Sequence, residues 1–256
     1  MHHPAIAVVI PAFNEEKHIG DVVRRTRARL DCVLVVDDGS HDSTAAEART
    51  AGAEVIVHPQ NYGKGEAIRT GLRYWLDPVD PAGSRQDRSV SGRRGDLRRG
   101  ETASVMSPGG EQPDWILILD ADAQHRPEEI DRFVSAIPGS DAKIFVGNRM
   151  NDLTRMPLVR RVVNRYMSRK ISRLCGQTIP DTQCGFRMLH RQLIPDFLDG
   201  ANRFDYETEM LIKASRKGVR IDSIPITTVY CDEVSSIHPV RDTMRFFKLM
   251  RRYRKL

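Results

Sequence analysis

Apolar residues recur in short runs at Ala5–Ile10, Cys32–Val36, Val55–Val57, Trp115–Leu119 and Lys143–Val146. Runs this short and this unbroken predict strands buried on both faces, as in parallel sheets. Between them the spacing lengthens. In "EEKHIGDVVRRTRARL" the residues Ile19, Val22, Val23 and Leu30 fall near helical spacing behind Asn14, which can cap them. Ser43 or Asp42 opens a second helix, and "GEAIRTGLRYWL" gives a third. Strand alternating with helix predicts a single α/β domain over residues 1–256, with a mostly parallel sheet flanked by helices and right-handed crossovers. The polar clusters "PAFNEE", "DDGSHDST", "NYGKGEA", "DADAQ" and "GNR" each follow a predicted strand. In open α/β sheets that is where ligands bind.

One segment breaks the alternation. Asp80–Asp114 is rich in Gly, Ser, Arg and Pro, has no aromatic residue or isoleucine, and balances six acids against six arginines. Such a stretch buries too little apolar surface to offset its ordering entropy, so it predicts a disordered loop inserted before the fourth strand.

The fourth run is the most informative. "WILILDADAQ" carries five apolar residues straight into Asp120 and Asp122, with Gln124 following. If the chain stays extended past the strand, alternation puts all three side chains on one side. Two carboxylates that close call for a cation, and an all-oxygen donor set suits Mg2+ or Mn2+. Solvated loop aspartates are the plainer reading of a bare D-x-D pattern.

Composition narrows the class. No stretch approaches the ~18 uninterrupted apolar residues of a membrane span, and "MHHP" lacks the charged-then-apolar order of a signal peptide, so a cytoplasmic chain is expected. Cys32, Cys175, Cys184 and Cys231 show no C-x-x-C spacing, which argues against zinc and disulfides and for reduced, packed thiols. The net charge of +6 is unevenly placed: Leu158–Leu174 holds six basic residues and no acid, and His238–Leu256 holds seven and one acid. Those windows sum to +12, leaving −6 for the remainder.

Neither G-x-G-x-x-G nor G-x-x-x-x-G-K-[ST] is present, so a ligand must be held otherwise. Asp37 and Asp38 can accept from ribose hydroxyls or a base N–H, with Gly39 allowing a tight turn; Asp37 equally suits a turn that caps the next helix. The "NYGKG" stretch permits close backbone approach at a helix start and brings Lys64 near phosphate.

Taken in order, "VVIPAFNEE", "VVDDGSHDST", "NYGKGEAIRTGL", "ILDADAQHRPEEI", "GNRM", "DTQCGFRML" and "FDYETEML" resemble family 2 glycosyltransferases of the GT-A fold. Within them the chain is similar to the dolichol-phosphate mannose synthase and bacterial polyprenyl-phosphate glycosyltransferase group, over nearly its whole length outside Asp80–Asp114. The resemblance implies that Pro11, Phe13, Glu15, Val36 and Asp38 line the nucleoside pocket and that Asp120, Ala121 and Asp122 contact the donor. It implies that Asp120, Asp122 and Gln124 hold the metal, and that Arg149 meets phosphate. Related synthases carry a further basic residue in the loop matching Tyr230–Ile237; "YCDEVSSI" has none, which leaves Arg161 or Arg241 as substitutes.

The expected reaction moves a hexose from a nucleotide-diphosphate sugar, of the GDP-mannose or UDP-glucose kind, to a polyprenyl or dolichyl phosphate with inversion. A divalent ion between Asp120 and Asp122 would neutralise the departing diphosphate. A phosphate acceptor is already ionised and needs cations more than a base, which Arg149 and the Arg160/Arg161 pair supply. Asp181 can orient the acceptor, orient a basic side chain, or act as base toward a hydroxyl acceptor; it also suits a plain turn. Glu209, on a predicted helix, reads as solvated or arginine-paired.

Helical spacing of Leu158, Val162, Val163, Tyr166, Met167, Ile171 and Leu174, and of Phe246, Phe247, Met250 and Tyr253, makes 158–174 and 238–256 basic amphipathic helices. They either pack on the core or lie on an anionic membrane; beside a lipid-borne acceptor the second is expected, placing the protein peripherally on the inner face of the membrane. Transfer to a soluble hydroxyl acceptor is the alternative within enzymes. A nucleic-acid-binding module is the alternative outside them, and the carboxylate clusters at the strand ends oppose it.

Overall fold

The computed structural model describes residues 4–76, 112–150, 158–199, 205–227, 229, 251 and 253. In chain order these form β1 (Ile6–Ala12), α1 (Ile19–Arg27), β2 (Cys32–Asp37), α2 (Thr44–Thr50), β3 (Glu54–Val57), α3 (Lys64–Leu76), β4 (Trp115–Ile118), α4 (Ile130–Ala136), β5 (Ile144–Asn148), α5 (Leu158–Cys175), β6 (Arg187–His190), α6 (Ile194–Phe197), α7 (Asp205–Arg216) and β7 (Ile221–Pro225).

The seven strands make one sheet in the order β3-β2-β1-β4-β6-β5-β7. Every pairing is parallel except those of β6, which runs antiparallel between β4 and β5. The mostly parallel sheet expected from the pattern is therefore present. β1 lies inside it, with Val9 opposite Leu34 of β2 on one side and Ile118 of β4 on the other. All seven of its residues are buried, which is why it reads as an unbroken apolar run. On the β6 side, Phe133 of α4 stacks on Phe186 at 4.4 Å between ring centroids, and Trp115 lies 5.5 Å from Phe145. Truncating any such buried ring to alanine costs about 3–5 kcal/mol.

Some expectations shift. Asn14 does not cap the first helix: it takes a left-handed φ of 56°, its Oδ1 accepts from His41 N, and the helix begins at Ile19. It pins the loop after β1 to the loop after β2 instead. At the second helix Asp42 is the capping side chain, accepting from Thr44 N at 3.0 Å. Residues 80–111 of the expected loop lie outside the described residues, but 112–114 are tied down. Asp114 N donates to Ala5 O at 2.8 Å, and Asp114 Oδ2 accepts from Ala5 N at 3.1 Å. These bonds extend the β1–β4 pairing by one step, so Asp114, at the end of the expected loop, already pairs with the residue before β1.

The 158–174 segment is helical, as expected, but its apolar stripe is split: Ile171 is buried and Met167 and Leu174 pack against the core, while its earlier described members face outward. Asn164, Ser168, Ile171 and Cys175 are buried, whereas Val162, Val163 and Tyr166 are exposed at 67%, 43% and 46%. Ser168 is buried because its hydroxyl accepts from Thr182 N and pairs with Thr182 Oγ1. Most of 238–256 lies outside the described residues. Tyr253 is buried: its hydroxyl donates to Glu209 Oε1 at 2.5 Å and the Arg216 guanidinium stacks over its ring. Tyr253 therefore packs on α7 through Glu209 and Arg216 instead of lying at an interface, and Glu209 is buried at 1% exposure, not solvated. Among the described residues no helix is long and apolar enough to cross a membrane. Cys32, Cys175 and Cys184 are buried and packed, as expected; Cys231 lies outside the described residues.

Candidate active site

Chain order reverses at β1: the chain moves outward through β2 and β3, then returns to place β4 on the opposite side. Crevices open at such a switch point, beyond the carboxyl ends of the strands. The loops after β1, β2, β3 and β4 meet there.

On the β1–β2 side the wall is aromatic. Phe13 is 39% exposed, with the His41 ring edge-on at 6.4 Å. Pro11 and Val36 are buried in their strands, and Glu15 N is anchored on Thr44 Oγ1 at 2.7 Å. Asp38 departs from the expectation of a ribose contact. It is 2% exposed and accepts from His58 Nδ1 (2.7 Å), Tyr62 N (3.0 Å) and Gly63 N (2.7 Å). Its carboxylate thus fixes the turn that launches α3, as a buried charge must be spent on donors. Asp37 caps the β2 turn, accepting from Ser40 N at 2.9 Å. Gly39, at φ 76°, lies so close to Gln60 that any Cβ would overlap that backbone.

On the β4 side the extended alternation does not continue. The strand ends at Ile118, the chain bends, and Ala123 takes a φ of 57° while Asp122 Oδ1 accepts from Gln124 N at 3.0 Å. A compact turn, rather than a strand extension, presents the carboxylates. Asp120 Oδ1 lies 2.7 Å from Lys64 Nζ, and that ammonium also sits 3.3 Å from Glu207 Oε1. Burial works to raise the Asp120 pKa, but Lys64 above all, then His125, holds it below the usual carboxylate range. Burial likewise works to depress the Lys64 ammonium, and the attraction of Asp120 and Glu207 reverses this and raises it. Gly185 lies directly under the Asp120 carboxylate, where a Cβ would overlap both oxygens. Ala121 is buried beside them at 4% exposure.

A divalent ion fits here on two observations. Asp120 Oδ1 is buried and, despite its nearby ammonium, has no well-directed hydrogen bond. The donors Asp120, Asp122 and Gln124 are all oxygen. Among the described residues no group of three His, Cys, Asp or Glu side chains is placed to hold a metal ion. Mg2+ and Mn2+ sites with one or two carboxylates typically take their remaining ligands from water and substrate phosphates, so an open set is what they need.

Arg149, directly after β5, is held by Asp181. Nε donates to Oδ2 at 2.7 Å, Nη2 to Oδ1 at 3.0 Å, and the Arg149 backbone N to Oδ2 at 3.2 Å. Asp181 is 1% exposed; burial would raise its pKa, but Arg149 pulls it below the ordinary range. Of the roles open to it, the geometry matches the orienting of a basic side chain. Arg149 also lies near enough to Asp120 to help lower its pKa, so the acidic turn and the arginine share one site. Arg161 sits half-buried on α5 with no ion pair among the described residues, and Arg241 lies outside them.

Sequence reasoning passed over several contributors. His125 follows Gln124, is 3% exposed, and lies with Nε2 3.8 Å from Asp120 Oδ2. Burial first of all drives its pKa down to about 4. Arg187, wholly buried, donates to the carbonyls of Thr182, Cys184 and Glu207 and so ties the Gly185 loop to α7. Glu207 was legible only as one of the two acids in "YETEML". A cleft of about 610 Å³, lined by Arg25, Arg126, Glu128, Glu129, Arg132, Thr227 and Val229, contains none of these site residues.

Comparison with known proteins identifies the family and the fold. The family model described as glycosyl transferase family 2 matches residues 7–79 and 111–198. The chain is 29% identical over 235 residues to the uncharacterized protein MJ1222 of Methanocaldococcus jannaschii, covering 89% of this chain and 82% of that one. It is 27% identical over 250 residues to the UDP-N-acetylglucosamine--dolichyl-phosphate N-acetylglucosaminyltransferase of Methanococcus voltae, covering 89% and 86%. It is also 27% identical to the undecaprenyl-phosphate 4-deoxy-4-formamido-L-arabinose transferase of Klebsiella pneumoniae, covering 84% of this chain and 58% of that one. Among solved structures, glucosyl-3-phosphoglycerate synthase of Mycobacterium tuberculosis, with Mn2+, UDP-glucose and phosphoglyceric acid, superposes with a TM-score of 0.68 at 18% identity, covering 98% and 79%. That likeness shows the fold, and the family match shows the membership: the chain is a GT-A-fold glycosyltransferase and belongs to glycosyl transferase family 2.

Proposed function

We propose that the protein transfers a hexose, with inversion, from a nucleotide-diphosphate sugar to a polyprenyl phosphate at a membrane surface. The observation that carries this reading is the Arg149–Asp181 pair beside Asp120. It supplies a fixed cation and leaves Asp181 no role as a base. A hydroxyl acceptor wants a base with a pKa near the working pH, whereas a phosphate monoester is largely ionised above a second pKa of ~6. An acceptor that is already a nucleophile suits a site whose carboxylates are held by cations. The relatives whose names specify dolichyl or undecaprenyl phosphate support the same acceptor class.

Asp120, Asp122 and Gln124 would hold Mg2+ or Mn2+, which when bound supplies charge to offset that gained by the departing diphosphate. Phe13 offers an aromatic face to the nucleobase, with Pro11, Val36 and Asp38 shaping the wall behind it. Lys64, at the first position of α3, meets donor phosphate. Arg149 draws the acceptor phosphate in and, clasped by Asp181, holds it in a fixed direction. Line-of-sight attack on the anomeric carbon then inverts its configuration. The exposed Val162, Val163 and Tyr166, interleaved with Arg165 and Arg169 on α5, give the protein an apolar and cationic face suited to an anionic bilayer.

Purified protein incubated with Mn2+ or Mg2+, a panel of GDP- and UDP-sugars, and polyprenyl phosphate tests the proposal. A lipid-linked sugar formed only with the phosphate carrier, and abolished by chelator or by Asp120→Ala with Asp122→Ala, is the expected result. Transfer to a soluble hydroxyl compound instead, or undiminished transfer in chelator, overturns it.

A further inference from the structure

The placement of Lys64 between Asp120 and Glu207 is not explained by donor binding alone. Its Nζ lies 2.7 Å from Asp120 Oδ1, 3.3 Å from Glu207 Oε1 and 3.4 Å from Glu207 Oε2. All three side chains are largely buried, at 18%, 21% and 8% exposure. Neither Asp120 Oδ1 nor Glu207 Oε1 has a well-directed hydrogen bond. The ammonium is therefore shared: it lies closest to Asp120 and hydrogen-bonds Glu207 Oε2, so both carboxylates hold it at once.

We propose that Lys64 is the resident counter-cation of Asp120, that it yields this place to the divalent ion, and that Glu207 is the carboxylate that then receives it. The inference rests on the reading of Asp120 as a metal-holding group and deepens it.

The physical case has three parts. A buried carboxylate without a counter-charge is strongly disfavoured, so the metal-free protein needs a cation at Asp120. Lysine suits a shared position, being a point charge on a flexible four-carbon stem, where arginine's planar fork would commit to one partner. A divalent ion at Asp120 repels the ammonium, and Glu207 already lies within reach without any backbone movement. The peptide carbonyl of Glu207 is fixed by Arg187, and Lys64 is fixed as the first residue of α3, so only the side chain has to swing. Lys64 then competes with metal in the metal-free protein and turns toward donor phosphate in the metal-bound one. Metal alone binds weakly; metal with nucleotide binds well.

Metal affinity measured without nucleotide separates this arrangement from an ordinary structural ion pair. Free Mn2+ is followed by its electron paramagnetic resonance signal during titration of the full chain, with folding checked by circular dichroism. K64M is expected to bind Mn2+ roughly tenfold more tightly than the parent, in the range that contacting charges show in double-mutant cycles. E207Q is expected to bind it several-fold more weakly, because Lys64 is left with Asp120 as its one anion. K64M/E207Q is expected to match K64M, since Glu207 acts through Lys64. Unchanged or weaker affinity in K64M overturns the proposal, as does an E207Q effect that persists in the K64M background. If K64M does not fold in chelator, E207Q decides: weaker binding supports the exchange and unchanged binding overturns it. Mn2+ binding by the parent with UDP or GDP, but with no K64M difference in their absence, defeats this inference alone. No Mn2+ binding under any of these conditions defeats the metal reading with it.

Discussion

Asp181 spends both carboxylate oxygens on Arg149, at 2.7 Å to Nε and 3.0 Å to Nη2, and accepts the Arg149 backbone N as well. Side chain and main chain of one residue are thus held by one buried acid. Asp181→Asn is expected to raise the KM for the phosphate acceptor at least ~10-fold with a smaller change in donor KM, because a neutral amide cannot keep the guanidinium in line. Removing one partner of a buried pair also costs about 3–5 kcal/mol, readable from urea unfolding. Because Arg149 depresses the Asp181 pKa, the stability this pair contributes is present above the ordinary aspartate value of 3.8 and is lost as pH falls below it. A pH–rate profile with a limb near neutrality that disappears in Asp181→Asn would assign the acid a base's role and sink this account.

His125 gives a pH dependence in a different window. Burial lowers its pKa from 6.5 to about 4. A histidine depressed on folding binds its proton better when unfolded, so the unfolded state gains as pH falls from 6.5 toward 4. Stability is therefore full above that window and declines through it, by about 2 kcal/mol between pH 6.5 and 5. His125→Phe keeps an aromatic ring beside Phe186, whose centroid lies 5.7 Å away, and removes the titration. Urea midpoints at pH 7 and pH 5 should converge in this variant and diverge in the parent.

Gly185 tests the packing of the acidic turn. A methyl group there would overlap both oxygens of Asp120, and it cannot move away because Arg187 fastens the same loop to three carbonyls. Gly185→Ala is expected to displace Asp120 and lower kcat/KM by ~10²-fold, the scale at which a misplacement near 1 Å acts. Mn2+ affinity in the presence of nucleotide should fall with it, while β6 and the fold persist by circular dichroism. Full activity in this variant would show that Asp120 can shift without consequence.

The sheet was legible because buried parallel strands leave unbroken apolar runs, and β1, β2 and β4 are buried throughout. The antiparallel direction of β6 was not, since an apolar run carries no sign of polarity and β6 follows a helix of 18 residues. Asp120 could be picked out because strand ends concentrate function in this fold class, and Arg149 because the resemblance to family 2 glycosyltransferases singles it out. What the sequence hid was which charges spend themselves on the protein. Asp38, expected at the ribose, is committed to His58 and two backbone N–H groups. Lys64, expected at phosphate, lies against Asp120 and Glu207, the latter 143 residues away. Such pairings depend on distances across the fold, which local spacing does not encode.

The same limit applies to α5, and there it leads to the last prediction. Periodicity put Val162, Val163, Tyr166 and Ile171 on one apolar stripe, but the fold buries Ile171 and turns the other three outward. The buried face instead holds Asn164 and Ser168, whose polar groups would be costly in lipid and are accommodated here by the protein, Ser168 through Thr182. The exposed trio is flanked by Arg165 and Arg169, and Lys170 lies 5.5 Å from the Tyr166 ring centroid. An apolar contact of this size contributes little alone, and each basic residue near an anionic leaflet adds ~1 kcal/mol, so binding should need both. V162D/V163D is expected to abolish flotation with vesicles containing anionic lipid, and Arg165→Glu with Arg169→Glu to reduce it at least ~10-fold, with neutral vesicles binding neither parent nor variant. Because none of these residues touches the acidic turn, transfer to a detergent-solubilised, short-chain polyprenyl phosphate should continue at the parent rate. Equal flotation of parent and V162D/V163D would show that α5 is not the membrane-facing helix.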